Sequence, residues 1–154
     1  METTLLIFKP DAVRRRLCGK ILSRIEDRGL KIVGLKMAHI DEALAERHYG
    51  VHKDKPFYPG LIRYITSSPV VICAVAGPRA VEVCRKMMGA TFGWKAESGT
   101  IRGDFGISNS FNLIHGSDST ESAQHELGLF FGDGELQEYD MPDDAWVFDP
   151  AEDK

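Results

Sequence analysis

Residues 70 to 76 read VVICAVA, seven apolar side chains without a break. Such a run belongs in the middle of a sheet, and the rest of the fold has to be arranged around it as a central strand. Thr3 to Phe8 is a second apolar, β-prone run, stopped by KPD at residues 9–11. In GKILSRIEDRG, Ile21, Leu22 and Ile25 share a helical face and Gly29 stands as a stop. Residues 30–40 partly alternate and predict a strand. Asp41 is placed to cap a helix over EALAERHY, and a second short helix is expected between the prolines of KPFYPGLIRYITSSP. Residues 79–88 predict a helix with Gly89 behind it. Residues 90–110 are glycine-rich and show no period. Residues 111–115 are strand-like, 119–131 predict a helix, and the remainder is an acidic, proline-containing tail.

Without the short helices at about 41–66, the order is β-α-β-β-α-β. This predicts an α+β, ferredoxin-like fold: a four-stranded antiparallel sheet with helices on one face and an irregular C-terminal tail. Residues 1–139 are expected to form one domain and 140–154 the acidic tail. The fold alone assigns no function, because it hosts enzymes, regulatory modules and RNA-binding domains.

With 43% hydrophobic and 27% charged residues the chain is ordinary for a soluble domain, and its net charge of −4 offers no general attraction for nucleic acid or anionic membrane. Any phosphate must be met by a local group of lysine and arginine. Three scattered cysteines, Cys18, Cys73 and Cys84, fit a reducing compartment, and the N-terminus reads as neither signal peptide nor membrane span. A cytoplasmic location is expected. No P-loop motif is present. His48 and His52 in HYGVH have ligand spacing but lack the glutamate of H-E-x-x-H and a third ligand, so no metal role is expected of them. RGDFGI at 102–107 carries an aspartate where an RNA-binding signature needs an aromatic.

The chemical clue lies in NLIHGSDS, residues 112–119, and the helix behind it. At ~100° per residue, Glu126 falls ~40° from Phe130 and ~60° from Ala123 and Leu129. A carboxylate is thus set inside the face that should pack on the sheet, where it needs a partner. The strand ending at His115 runs directly into this helix, so Glu126 can reach the imidazole. A carboxylate on one ring nitrogen leaves the other as a nucleophile. Gly116 is expected to leave room for a bulky group, and Ser117, Asp118 and Ser119 to cap a helix N-terminus that favours a nearby anion. On the residues alone a second reading stands beside this one: a half-buried His115, with Glu126 reaching solvent. Lys9, Arg85 and Arg102 are the basic candidates, but periodicity does not select them from 19 basic residues.

NLIHGSDS together with GTIRGDF, KPD after the first strand, and HY followed by KPFYPGL resembles the nucleoside diphosphate kinase family from about Thr4 to about Phe131. The resemblance implies ping-pong phosphotransfer. A nucleoside triphosphate phosphorylates His115, and the phosphohistidine then phosphorylates a nucleoside diphosphate. It implies Glu126 as the partner that orients His115, with Ser117 supporting the pair and Tyr49 near the transferred group. Arg85, Thr91 and Arg102 would hold phosphates, and Lys9 and Asn112 would meet the sugar hydroxyl and phosphate chain. Phe57 would stack on the base, with Leu61 alongside. Mg²⁺ would arrive on the nucleotide with no dedicated protein site, and the chain would form a homo-oligomer, tetramer or hexamer, with no nucleic acid or membrane partner. This sequence departs from the family pattern at residues 92–98, at Phe111 and in the tail. The rival is a non-catalytic nucleotide-binding regulator, which would have no use for a histidine backed by a carboxylate.

Overall fold

A computed structural model describes residues 1–152. Four strands, β1 (Glu2–Phe8), β2 (Lys31–Ala38), β3 (Val70–Gly77) and β4 (Ile114–Gly116), form one antiparallel sheet in the order β2-β3-β1-β4. The apolar runs of β1 and β3 lie in the centre, paired from Glu2 opposite Gly77 to Phe8 opposite Val71. The helices are α1 (Pro10–Arg14), α2 (Cys18–Asp27), α3 (Glu42–Tyr49), α4 (Tyr58–Ile65), α5 (Ala80–Met88), α6 (Ile101–Phe105), α7 (Thr120–Phe130) and α8 (Asp144–Val147). Short 3₁₀ turns cover Gly50–His52 and Gly93–Lys95.

Alternation along β1 divides the core in two. Leu6 and Phe8, with Cys73 and Val75 of β3, pack against Ile21 and Ile25 of α2 and Cys84 and Met88 of α5. Leu5 and Ile7, with Ile72 and Ala74, pack against Ala45 and Tyr49 of α3, Ile62 and Ile65 of α4, and Phe130 of α7. This corrects the expectation of helices on one face. The two crossover helices do share a face, but α3, α4 and α7 cover the other. A strand that is apolar at every position has to be buried on both sides.

Local chemistry explains three of the helix starts. The Asp41 side chain accepts the Leu44 N–H at 2.8 Å, as its place before α3 predicts. Thr100 caps α6 through the Gly103 N–H at 3.0 Å, and Ser119 caps α7 through the Ser122 N–H at 3.0 Å. Two short helices, α1 and α6, lie where the sequence reads as a stop and as a region without period. A five-residue helix is too brief to display a 3.6-residue repeat.

The expected strand over 111–115 is shorter than its composition implies. Leu113 is left-handed, at φ 72°, and the Ile114 N–H turns back to the Asn112 carbonyl at 2.8 Å. β4 therefore starts only at Ile114 and puts His115 opposite Ile7, on the face covered by α3 and α7. The tail from residue 132 is not detached. The extra residue of a β-bulge at Val33 leaves its carbonyl to accept the Gln137 N–H at 2.8 Å, and α8 adds a single helical turn.

Candidate active site

His115 and Glu126 meet. The imidazole Nε2 lies 2.5 Å from the Glu126 carboxylate oxygen Oε2, although Glu126 sits inside the buried face of α7. Burial pushes the carboxyl pKa up, but the His115 hydrogen bond, with smaller help from the surrounding polar groups, outweighs it, so the value falls below the usual carboxylate range. An ionised Glu126 can only accept. His115 must then carry its proton on Nε2, and Nδ1 keeps the lone pair. The reading in which Glu126 escapes to solvent is overturned, since Glu126 is 7% exposed.

A second cluster stands beside the imidazole. Lys9 Nζ donates to Asn112 Oδ1 at 2.7 Å, and Asn112 Nδ2 donates to the Thr91 carbonyl at 2.9 Å. Arg102 donates through three nitrogens to three carbonyls: Asn112 at 3.1 Å, Gly89 at 3.1 Å and Ile114 at 2.7 Å. Arg85 reaches the Gly116 carbonyl at 3.3 Å. Lys9 and Arg102 are buried, and none of these bonds goes to a carboxylate. Burial and the nearby Arg102 charge lower the Lys9 pKa to about 8, against a raising influence of Asp11. Burial and Arg85 lower that of Arg102 to about 10. Cations held in this state call for an anion.

The turn that aims Asn112 and His115 is fixed from below. Asp11 Oδ2 accepts the Leu113 N–H at 3.1 Å, and its other oxygen accepts the Tyr64 hydroxyl. The Lys9 N–H bonds the Leu113 carbonyl at 2.8 Å. Neither Asp11 nor Tyr64 was singled out by the sequence, although Asp11 belongs to the KPD stop.

The spacing of His48 suggests only a ligand pair with His52, yet His48 lies beside His115 and Glu126. Its Nδ1 is 3.4 Å from Glu126 Oε2, and its ring meets that of His115 edge-on with centroids 4.7 Å apart. Tyr49 packs on His48 at 4.4 Å between centroids, and its buried hydroxyl has no hydrogen-bond partner. Burial and the Glu126 charge raise the Tyr49 pKa. Phe57 stands at the N-terminus of α4 and Leu61 lies within that helix. Phe57 is exposed, with His52 5.5 Å from its ring centroid and the Lys55 ammonium 5.7 Å away. Leu61 follows one turn on, its N–H bonded to the Phe57 carbonyl at 3.0 Å.

Gly116 has a different reason from the one expected. A Cβ there would lie 2.5 Å from Met88 Sδ and 3.2 Å from Leu6 Cδ2. The glycine lets α5 close on β4 rather than making space for a ligand.

Among the described residues, one group could surround a metal: His48, His115 and Glu126, with donor atoms within 4.8 Å of one another. Two of those donors already touch at 2.5 Å, whereas ligands about 2.0–2.2 Å from an ion must stand well over 3 Å apart. The set reads as a hydrogen-bonded chain. It is no oxygen cage for Mg²⁺.

A ferredoxin-like sheet with a carboxylate-backed histidine and buried cations that no carboxylate pairs is a frame suited to an enzyme acting on phosphates. The family model described as Nucleoside diphosphate kinase matches residues 2–136. Relatives of that name include proteins from Pelotomaculum thermopropionicum, 56% identical over 97% of this chain and 100% of that protein, and Thermomicrobium roseum, 54% identical over 96% and 99%. A halophilic nucleoside diphosphate kinase from Halobacterium salinarum, solved in complex with CDP, superposes with a TM-score of 0.94 at 47% identity, covering 96% of this chain and 99% of that one. The chain belongs to the nucleoside diphosphate kinase family, and its reaction is the transfer of a phosphoryl group from a nucleoside triphosphate to a nucleoside diphosphate.

Proposed function

We propose that His115 carries the phosphoryl group between the two nucleotides through Nδ1. The observation behind this is the 2.5 Å contact between Nε2 and Glu126, which occupies one nitrogen and leaves the other free. In the first half-reaction the Nδ1 lone pair forms a bond to the γ-phosphorus. The bond from that phosphorus to the bridging oxygen breaks, and its electron pair leaves on the diphosphate. Positive charge gathers on the imidazole while the Nε2 proton stays shared with the carboxylate. The second half-reaction is the reverse, with a different diphosphate as acceptor.

Phosphoryl transfer asks for position and positive charge. Arg102, Arg85 and Lys9 supply the charge, with Asn112 and Thr91 fixing the chain of phosphates and the sugar. The buried hydroxyls of Ser117 and Tyr49 have no hydrogen-bond partner and are available, the first to the Glu126 carboxylate and the second near the transferred group. Phe57, exposed on one wall with Leu61 behind it, stacks on the base, and a stacking surface does not discriminate between bases. The solved relative's complex with CDP supports a nucleotide at this site. Mg²⁺ would arrive on the nucleotide, where it would neutralise phosphate charge. We assign the chain to the cytoplasm as a homo-oligomer, with residues 1–139 as the catalytic domain.

Incubation with γ-labelled ATP should give acid-labile, base-stable labelling that disappears in His115→Ala. Undiminished labelling and turnover in that variant would sink the assignment.

A further inference from the structure

We propose that His48 is a positioning residue for the phosphotransfer: its Nδ1–H is the second donor to Glu126, and its ring edge fixes the plane of the His115 imidazole. The inference rests on the phosphohistidine reading above.

Three observations carry it. The His48 side chain is 3% exposed, yet neither ring nitrogen has a hydrogen-bond partner. A buried, orphaned imidazole is costly and needs a reason. Next, a carboxylate oxygen, Glu126 Oε2, lies 3.4 Å from Nδ1, and it is the same oxygen that accepts from His115. A small adjustment of distance and ring angle brings this pair to hydrogen-bond geometry. Third, His48 is held against alternatives. Tyr49 packs on one side, Phe130 meets it edge-on at 5.2 Å, and His115 meets it at 87° between ring planes.

The chemistry gives this geometry a task. Glu126 reaches the imidazole on a flexible side chain, and one hydrogen bond leaves that carboxylate free to swing. A second donor fixes it. As charge builds on His115 during attack, the carboxylate is drawn toward the imidazolium, and the His48 donor limits how far it follows. The donor must stay neutral, because a cation there would compete for the carboxylate. The titratable groups facing His48 are His115 from β4, Glu126 and His125 from α7, Lys9 after β1, and the adjoining Tyr49. Burial, with the charge of His115 next, lowers its pKa to about 3, so it is neutral at pH 7.

Two variants separate donor from ring. His48→Phe keeps an aromatic wall and loses the donor. His48→Asn places an amide N–H close to the Nδ1 position and loses the wall. We expect kcat for His48→Phe to fall on the order of tenfold, with nucleotide KM changed by less than about twofold. His48→Asn should recover most of that loss. A His48→Phe enzyme at full rate, a His48→Asn enzyme just as slow, or a loss that appears in KM rather than kcat overturns the proposal. Should the variants fail to fold, ¹⁵N-imidazole NMR of the unaltered protein decides. A neutral Nδ1–H tautomer at pH 7 is required, and an Nε2–H tautomer or an imidazolium is fatal. Labelling of His115 in the unaltered enzyme is scored separately, because its failure would sink the phosphohistidine reading whatever His48 does.

Discussion

Lys9 has two tasks that pull its proton in opposite directions. Its pKa stands at about 8 against an ordinary 10.5, because burial and Arg102 penalise the charge. Below pH 8 it remains an ammonium ready for a phosphate, and the empty protein carries the cost of burying it. Between about pH 8 and 10.5 the unfolded chain binds the proton and the folded one does not, so stability rises while the phosphate site loses a charge. Nucleotide KM should therefore climb as pH is raised from 8 toward 9.5, and this limb should flatten in Lys9→Met, which starts from a higher KM. A parallel climb in the variant would place the titration elsewhere. Arg102 is less replaceable than its charge suggests. It ties Asn112, Gly89 and Ile114 together through a planar fork that a lysine cannot reproduce.

At the scale of elements, β4 is positioned by close approach. A methyl group at Gly116 would strike Met88 of α5, a flexible side chain with little room to retreat. Gly116→Ala should lower stability by about 1–3 kcal/mol in denaturant titration, and pairing it with Met88→Ala should return part of the loss. Equal midpoints for Gly116→Ala and the unaltered chain would refute the packing argument. The same elements show what could be read from the residues. The order of strands, the Asp41 and Ser119 caps and the pairing of His115 with Glu126 were legible, because each leaves a periodic or positional mark. Two-sided cover was legible in VVICAVA and was missed, since every residue of that run is apolar. His48 was not legible: at the end of α3 its spacing suggests a ligand pair with His52, and only the packing of α3 against α7 brings it to Glu126. Periodicity could not select Lys9 and Arg102 from the other basic residues; only the resemblance named them, and the turn at residues 112–114, whose left-handed residue no propensity anticipates, is what ties them together.

For the whole molecule the site sets a limit in acid. His48 has a pKa of about 3, against an ordinary 6.5, and that of Glu126 is lowered too. In both cases the unfolded chain takes up protons that the native one refuses. The stability present above pH 6.5 is therefore lost as pH falls toward 3. Urea midpoints should drop steeply over that interval, and His48→Phe should remove part of the slope; an unchanged slope would clear His48 of blame. One last consequence follows from the left-handed turn. At φ 72° Leu113 occupies a backbone region that branching at Cβ makes far worse, by about 1–3 kcal/mol. Leu113→Ile yields an isomeric protein of identical mass, formula and hydrophobicity. It should melt earlier and transfer phosphate more slowly, a defect that an intact-mass measurement would not reveal.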